Sequence, residues 1–118
     1  MFKVLDLTYN NLIAVEIDGQ IKKEDYDKVN PLIEKAVKEH GKVKLYLYIA
    51  KIEGIDAKAF LEDVKTYFRH FNDMEKIAVV GDNDWQKFWS NLAGPFVSGK
   101  LNYFNKSETA EAQIWIRQ

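Results

Sequence analysis

Val43-Lys44-Leu45-Tyr46-Leu47-Tyr48-Ile49-Ala50 is the stretch from which the fold of this chain is read. It is rich in aliphatic and aromatic residues, with Lys44 its one charge. A strand with one wet face would alternate apolar with polar residues, whereas this one suits burial on both faces inside a parallel sheet. It is read as the central strand. Ile77-Ala78-Val79-Val80-Gly81 has the same character and is read as a second buried strand. Parallel neighbours need a crossover, and the residues between them supply a helix. Asp56 is placed to cap it, Phe60, Leu61, Val64, Phe68 and Phe71 follow one face, and Asn72-Asp73 ends it.

Working outward, Phe2, Val4 and Leu5 followed by Leu12, Ile13, Val15 and Ile17 read as a hairpin broken at Tyr9-Asn10-Asn11. The acidic pair Glu24-Asp25 opens an amphipathic helix carried by Tyr26, Val29, Ile33, Ala36 and Val37 and stopped by Gly41. Pro31 lies inside that pattern, so a kink, or a restart with Asn30 as cap, is expected. Asp82-Asn83-Asp84 leads into a helix beginning near Trp85. Leu101 to Phe104 forms the last strand, and Ser107 caps a closing helix with Ile114, Trp115 and Ile116 available for packing. The order is ββαβαβαβα over residues 1–118, read as one α/β domain. Its sheet is five-stranded and mostly parallel, with an antiparallel first strand at or near an edge and helices flanking it.

Composition narrows the function. Seventeen basic against eighteen acidic residues leave a net charge of −1, and residues 1–59 and 60–118 are each nearly balanced, which disfavours strong nucleic-acid binding. The absence of cysteine removes disulfides, thiolate zinc sites and cysteine nucleophiles. The longest uncharged run, Phe88 to Gly99, is twelve residues, short of the roughly 20 needed to cross a bilayer. With no signal-peptide pattern after Met1, a cytoplasmic address is the default expectation.

Six glycines form neither a GxGxxG fingerprint nor a Walker-type loop, and Ser90, Ser98 and Ser107 fit no GxSxG elbow. His40 and His70 fall near predicted helix ends, where a cation complements the dipole. Asp82 and Asp84 follow a strand at the end where open α/β sheets hold ligands; Mg²⁺ binding and simple helix capping compete there, and capping is preferred. No cofactor and no bound metal are expected.

The most unusual segment runs from Trp85 to Lys100. Trp85, Phe88, Trp89, Leu92 and Phe96 fall on one helical stripe, although Gly94-Pro95 should end the helix before Phe96. Core packing is the plain explanation. Against it, a helix of about nine residues can hardly bury two Trp, a Phe and a Leu beneath itself, and Lys87 and Lys100 flank the uncharged run as they would in an interfacial segment or a pocket lid.

Gly19-Gln20-Ile21-Lys22-Lys23-Glu24-Asp25-Tyr26, and above all Ile77-Ala78-Val79-Val80-Gly81-Asp82-Asn83-Asp84-Trp85-Gln86, give the chain a family likeness. With the aromatic segment through Pro95-Phe96 and with Tyr103-Phe104, they make it resemble the SpoIIAA-like proteins across nearly its whole length. That family looks like a branch of the STAS fold, with resemblance to the CRAL-TRIO lipid-binding domains. The resemblance implies the fold already read from the residues. It also implies a serine after the central strand in relatives that regulate sigma factors, but Lys51-Ile52-Glu53-Gly54-Ile55-Asp56-Ala57-Lys58 offers no acceptor for such a phosphorylation switch.

The leading expectation is a non-catalytic STAS-like module for an apolar or amphipathic ligand, with peripheral membrane association through residues 85–100. Trp85, Phe88, Trp89, Leu92 and Phe96 would supply apolar contact, Ile52 and Ile55 the opposite rim, and Lys51, Lys87 or Lys100 a partner for an anionic head group. The alternative is a protein-interaction or regulatory module that docks a partner or a second copy. An enzyme using Asp82, Asp84 or Glu53 with Mg²⁺ is the third reading, with no nucleophile or phosphate cradle to support it.

Overall fold

A computed structural model describes residues 1–90 and 100–118, excluding the side chains of Gln86, Lys87, Trp89 and Ser90. The elements are β1 (Phe2–Val4), β2 (Leu12–Gln20), α1 (Lys23–His40), β3 (Val43–Glu53), α2 (Ala57–Tyr67), β4 (Met74–Gly81), α3 (Asn83–Ser90), β5 (Leu101–Asn105) and α4 (Thr109–Arg117). Short 3-10 turns, Phe71–Asp73 and Lys106–Glu108, precede β4 and α4. The strands lie side by side in chain order, β1 antiparallel to β2 and the rest parallel, so β3 is central and β1 is an edge.

That sequential order fixes where the helices go. Each crossover from β2 to β5 steps in the same direction, and a right-handed crossover then returns on the same face every time. The face covered by these crossovers packs Ile13, Val15, Ile17, Leu45, Leu47, Ile49, Ile77 and Val79 against Val29 and Ile33 of α1 and Phe60 and Val64 of α2. The opposite face is left to α4 and the loop after β1: Leu12, Ala14, Tyr46, Ala78, Val80 and Phe104 meet Ala112 and Ile116, with Leu5, Leu7 and Trp115 at the margin. The strict alternation of these two sets along β3 is why its sequence shows no polar face.

Four local expectations need correction. The helix α1 runs through Pro31 without restarting, and Asn30 caps nothing. Asn30 is instead a buried polar side chain whose Nδ2 donates to the Tyr67 carbonyl (2.9 Å) and whose Oδ1 accepts from the Arg69 N–H (2.9 Å). Those bonds hold the end of α2, which stops at Tyr67 rather than at Asn72-Asp73; Phe68 is buried just beyond it and Phe71 packs from the 3-10 turn. His70 therefore lies beyond the end of α2, at the start of the 3-10 turn rather than at a carbonyl end, with φ 60° and Nδ1 3.1 Å from the Asp73 carboxylate. Finally, Asn105 rather than Ser107 caps the closing segment. Its Oδ1 accepts from the Ser107 N–H (3.0 Å), and its own N–H donates to Glu108 (2.9 Å).

Other expectations hold. The Asp56 carboxylate accepts from the Ala59 N–H (2.8 Å), Gly41 ends α1 at φ 80°, and Asn10 turns the chain between Tyr9 and Leu12. Among the described residues no helix is long and apolar enough to cross a membrane.

Candidate functional site

The strand β3 outruns its neighbour. Its pairing with β4 ends at Tyr48 and Val80, while its pairing with β2 continues to Glu53. The last residues of β3 thus present an edge toward the space above the end of β4. That space is a cavity of about 250 Å³ lined by Ile49–Ile52, Ile55, Gly81, Asp82, Asp84, Trp85 and Tyr103. It lies at the carboxyl ends of the strands, where open α/β sheets bind ligands.

Its floor is apolar. Ile49 is buried, and Ile52, Ile55, Trp85 and Tyr103 are partly buried against the crossover-side core. The Trp85 ring lies 5.6 Å from that of Phe60, tilted by 42°, so one indole joins α3 to α2 and also walls the cavity.

Asp82 and Asp84 line the cavity, and further polar groups gather beside them. The Lys106 ammonium contacts the Asp82 carboxylate (3.2 Å), donates to the Ala50 carbonyl (3.0 Å) and sits 5.9 Å from the Tyr48 ring centre. It thereby satisfies a carbonyl in the overrunning part of β3. Asn105 donates to the Asn83 side chain, and the Tyr103 hydroxyl donates to the Asp82 carbonyl (2.6 Å). Burial, reinforced by Asp82 and Asp84, pushes the Tyr103 phenol up to about 12. Tyr103 crosses directly over Gly81: a Cβ at position 81 would lie 2.6 Å from its hydroxyl oxygen. On the β3 side, Lys51 pairs with Glu53 at 3.0 Å, both exposed, and this hydrogen bond raises the Lys51 ammonium.

Of the residues nominated by the sequence, Lys51, Ile52, Ile55 and Trp85 come together here. Phe88 is partly buried against the core and is not among the cavity's lining residues. Leu92 and Phe96 lie outside the described residues, as do the side chains of Lys87 and Trp89. Glu53 is tied to Lys51 and Asp56 to the start of α2. Among the described residues no three His, Cys, Asp or Glu side chains group to hold a metal ion. Sequence reasoning missed Ile49, Gly81 and Tyr103 as parts of one site. Gly81 and Tyr103 meet only through the β4–β5 register, in which Val79 faces Tyr103 and Gly81 faces Asn105.

A larger groove of about 450 Å³ lies at the opposite, amino end of the parallel strands, between the loop 6–11 and Lys44, Ile116 and Arg117. It gathers none of the nominated site residues.

A family model described as SpoIIAA-like matches residues 12–117. Among solved structures, the chain is similar to an uncharacterized protein with a SpoIIAA-like fold from Shewanella loihica. The two share 21% sequence identity over 98% of this chain and 92% of that one, with a TM-score of 0.63. At that identity the likeness shows the fold alone. No curated protein matches the chain.

Proposed function

Because the chain belongs to the SpoIIAA-like family, we propose that it is a STAS-like binding module, acting without catalysis, that holds a small apolar or amphipathic molecule at the carboxyl end of its sheet. The observation that carries this reading is the convergence of Ile49, Ile52, Ile55, Trp85 and Tyr103 on one cavity that Lys51, Asp82 and Asp84 also line. An apolar body fits against the isoleucines and the indole, and its polar end meets the rim. About 250 Å³ is room enough to seat a single ring or a short chain.

The reading places the binding surface in the cavity, not on the aromatic stripe as a membrane-facing unit. Trp85 and Phe88, the stripe residues whose side chains are described, pack inward on the core. A docking role for the 51–58 loop has less support, since Glu53 and Asp56, its acidic residues, are already engaged within the chain.

The test is a titration of the ¹⁵N-labelled chain with benzyl alcohol, a neutral amphipath of suitable size. Amide shifts confined to residues 49–55, 81–85 and 103, and abolished by Ile52→Asp with the rest of the spectrum preserved, are expected. Shifts absent or scattered over the surface would overturn the reading. Sedimentation with anionic vesicles in place of benzyl alcohol would instead favour the membrane role, if the chain pellets and Ile52→Asp leaves that unchanged.

A further inference from the structure

We infer that the groove at the amino end of the sheet is a self-association surface, at which two copies of this chain pair about a two-fold axis. The Tyr9 ring of each copy sits in the groove of the other, and Asp6 of each faces Arg117 of the other. The inference is independent of the cavity reading above.

The surface carries a projection and a recess side by side. Tyr9 is 74% exposed, the highest value among the large apolar side chains described. Its turn is tied down: Tyr9 and Leu12 exchange N–H···O bonds of 3.0 and 2.9 Å, Asn10 takes φ 54° between them, and the Thr8 hydroxyl accepts from the Ala14 N–H (2.9 Å). An aromatic ring held out on a fixed backbone gives up little conformational freedom on docking, which is what an interface anchor needs. Beside it, the groove of about 450 Å³ offers Leu7, Leu12 and Ile116 as its apolar wall.

The charges select the occupant. Asp6 and Arg117 both line the groove, both are exposed, and neither has an ion-pair partner among the described residues. Lys44, the third charged residue there, already donates to the Gln118 carbonyl (2.8 Å) and lies 3.8 Å from the Glu75 carboxylate. A partner of a single sign would satisfy one of the two and repel the other. A second copy satisfies both, because a two-fold axis that sets one residue against another sets the second against the first as well. The same rotation that brings each Asp6 to the other copy's Arg117 brings each Tyr9 to the other copy's recess.

Sedimentation equilibrium of the full chain at low salt tests this. A contact of one ring and one groove is small, so the dissociation constant should be on the order of 100 µM. Asp6→Arg and Arg117→Asp alter exposed side chains, and each variant should keep a native amide spectrum and weaken association at least tenfold, since each sets like charges against one another. An equimolar mixture of the two variants should associate again, because Arg on one chain then meets Asp on the other at both contacts. Tyr9→Ala should also weaken association about tenfold. A native chain that stays monomeric up to about 1 mM would overturn the inference and leave the groove to an unlike partner. So would a dimer that both charge variants leave intact, or single-variant monomers that fail to associate when mixed.

Discussion

Gly81→Ala tests the site most directly, because its effect should change sign with a second substitution. Gly81 does not have a positive φ, so alanine suits the backbone there and alone would stabilise by about 0.5 kcal/mol through the unfolded chain. Sterics oppose this. The new Cβ would lie 2.6 Å from the Tyr103 hydroxyl oxygen, and the phenol must move, giving up its 2.6 Å bond to the Asp82 carbonyl. The lost hydrogen bond costs about 1 kcal/mol, and crowding a packed site adds about 1 kcal/mol. Gly81→Ala alone should therefore destabilise by about 1.5 kcal/mol. In a Tyr103→Phe background the clashing atom is gone. The nearest ring carbon is then 3.4 Å away, an ordinary contact, and the same substitution should stabilise by about 0.5 kcal/mol. Urea unfolding of the four proteins closes a double-mutant cycle with a coupling of about 2 kcal/mol. A coupling under about 0.5 kcal/mol would show that Tyr103 does not cross Gly81 as described.

Asn30→Ala removes both bonds that hold the end of α2, and allowing for alanine's better helix propensity it should cost about 2 kcal/mol; a midpoint shift in urea equivalent to less than about 0.5 kcal/mol would refute the role given to Asn30. Asp56→Ala should cost about 1 kcal/mol and speed hydrogen exchange at the Ala59 amide, which donates to the Asp56 carboxylate, whereas Asp56→Ser should recover most of the loss. The phenols of Tyr103 and Tyr26 are raised, mainly by burial, so both stay neutral in the folded chain where an unfolded tyrosine ionises. The Tyr103 contribution is fully present below about pH 10 and is lost as pH climbs toward about 12, whereas that of Tyr26, raised further, persists to higher pH. Tyr103→Phe should flatten the decline of stability over that interval, and an unchanged slope would show that the phenol is not raised.

The sheet was legible in the sequence because its signal is local. Alternating residues of β3 belong to two different cores, and both are apolar, so the run from Val43 to Ala50 reads as doubly buried without reference to any partner. Gly41 and Asp56 were legible for the same reason, since a stop and a cap act within a turn of themselves. The end of α2 was not legible. Its apolar spacing continues through Phe68 and Phe71, and what stops the helix is Asn30, 37 residues from Tyr67 along the chain. A polar residue on the inner face of α1 beside a proline reads as a cap, and only the packing of α1 against the turn after α2 shows it as a clamp. The Asn105 cap is a different kind of miss: Asn105-Lys106-Ser107-Glu108 carries the capping-box spacing on its face, and Ser107 drew the assignment two residues too late.

The site was half legible, and the topology explains which half. Doubly wound sheets open a ligand crevice where successive crossovers diverge to opposite faces. Here β2 to β5 lie in chain order and every crossover returns to one face, so no such divergence exists. The cavity arises instead from unequal strand lengths: β3 continues to Glu53 beside β2 after its pairing with β4 has ended at Tyr48. Sequence supplies the apolar character of Ile52, Ile55 and Trp85, but the step between two strand ends is a property of register. Two residues far apart in the chain keep that step usable. The Lys106 ammonium caps the Ala50 carbonyl where β4 no longer pairs beside it, and Gly81 leaves the room over which Tyr103 reaches Asp82. Lengthening β4 by one paired residue would place a strand where the cavity is, so binding in this fold depends on β4 ending at Gly81 as much as on the side chains around it.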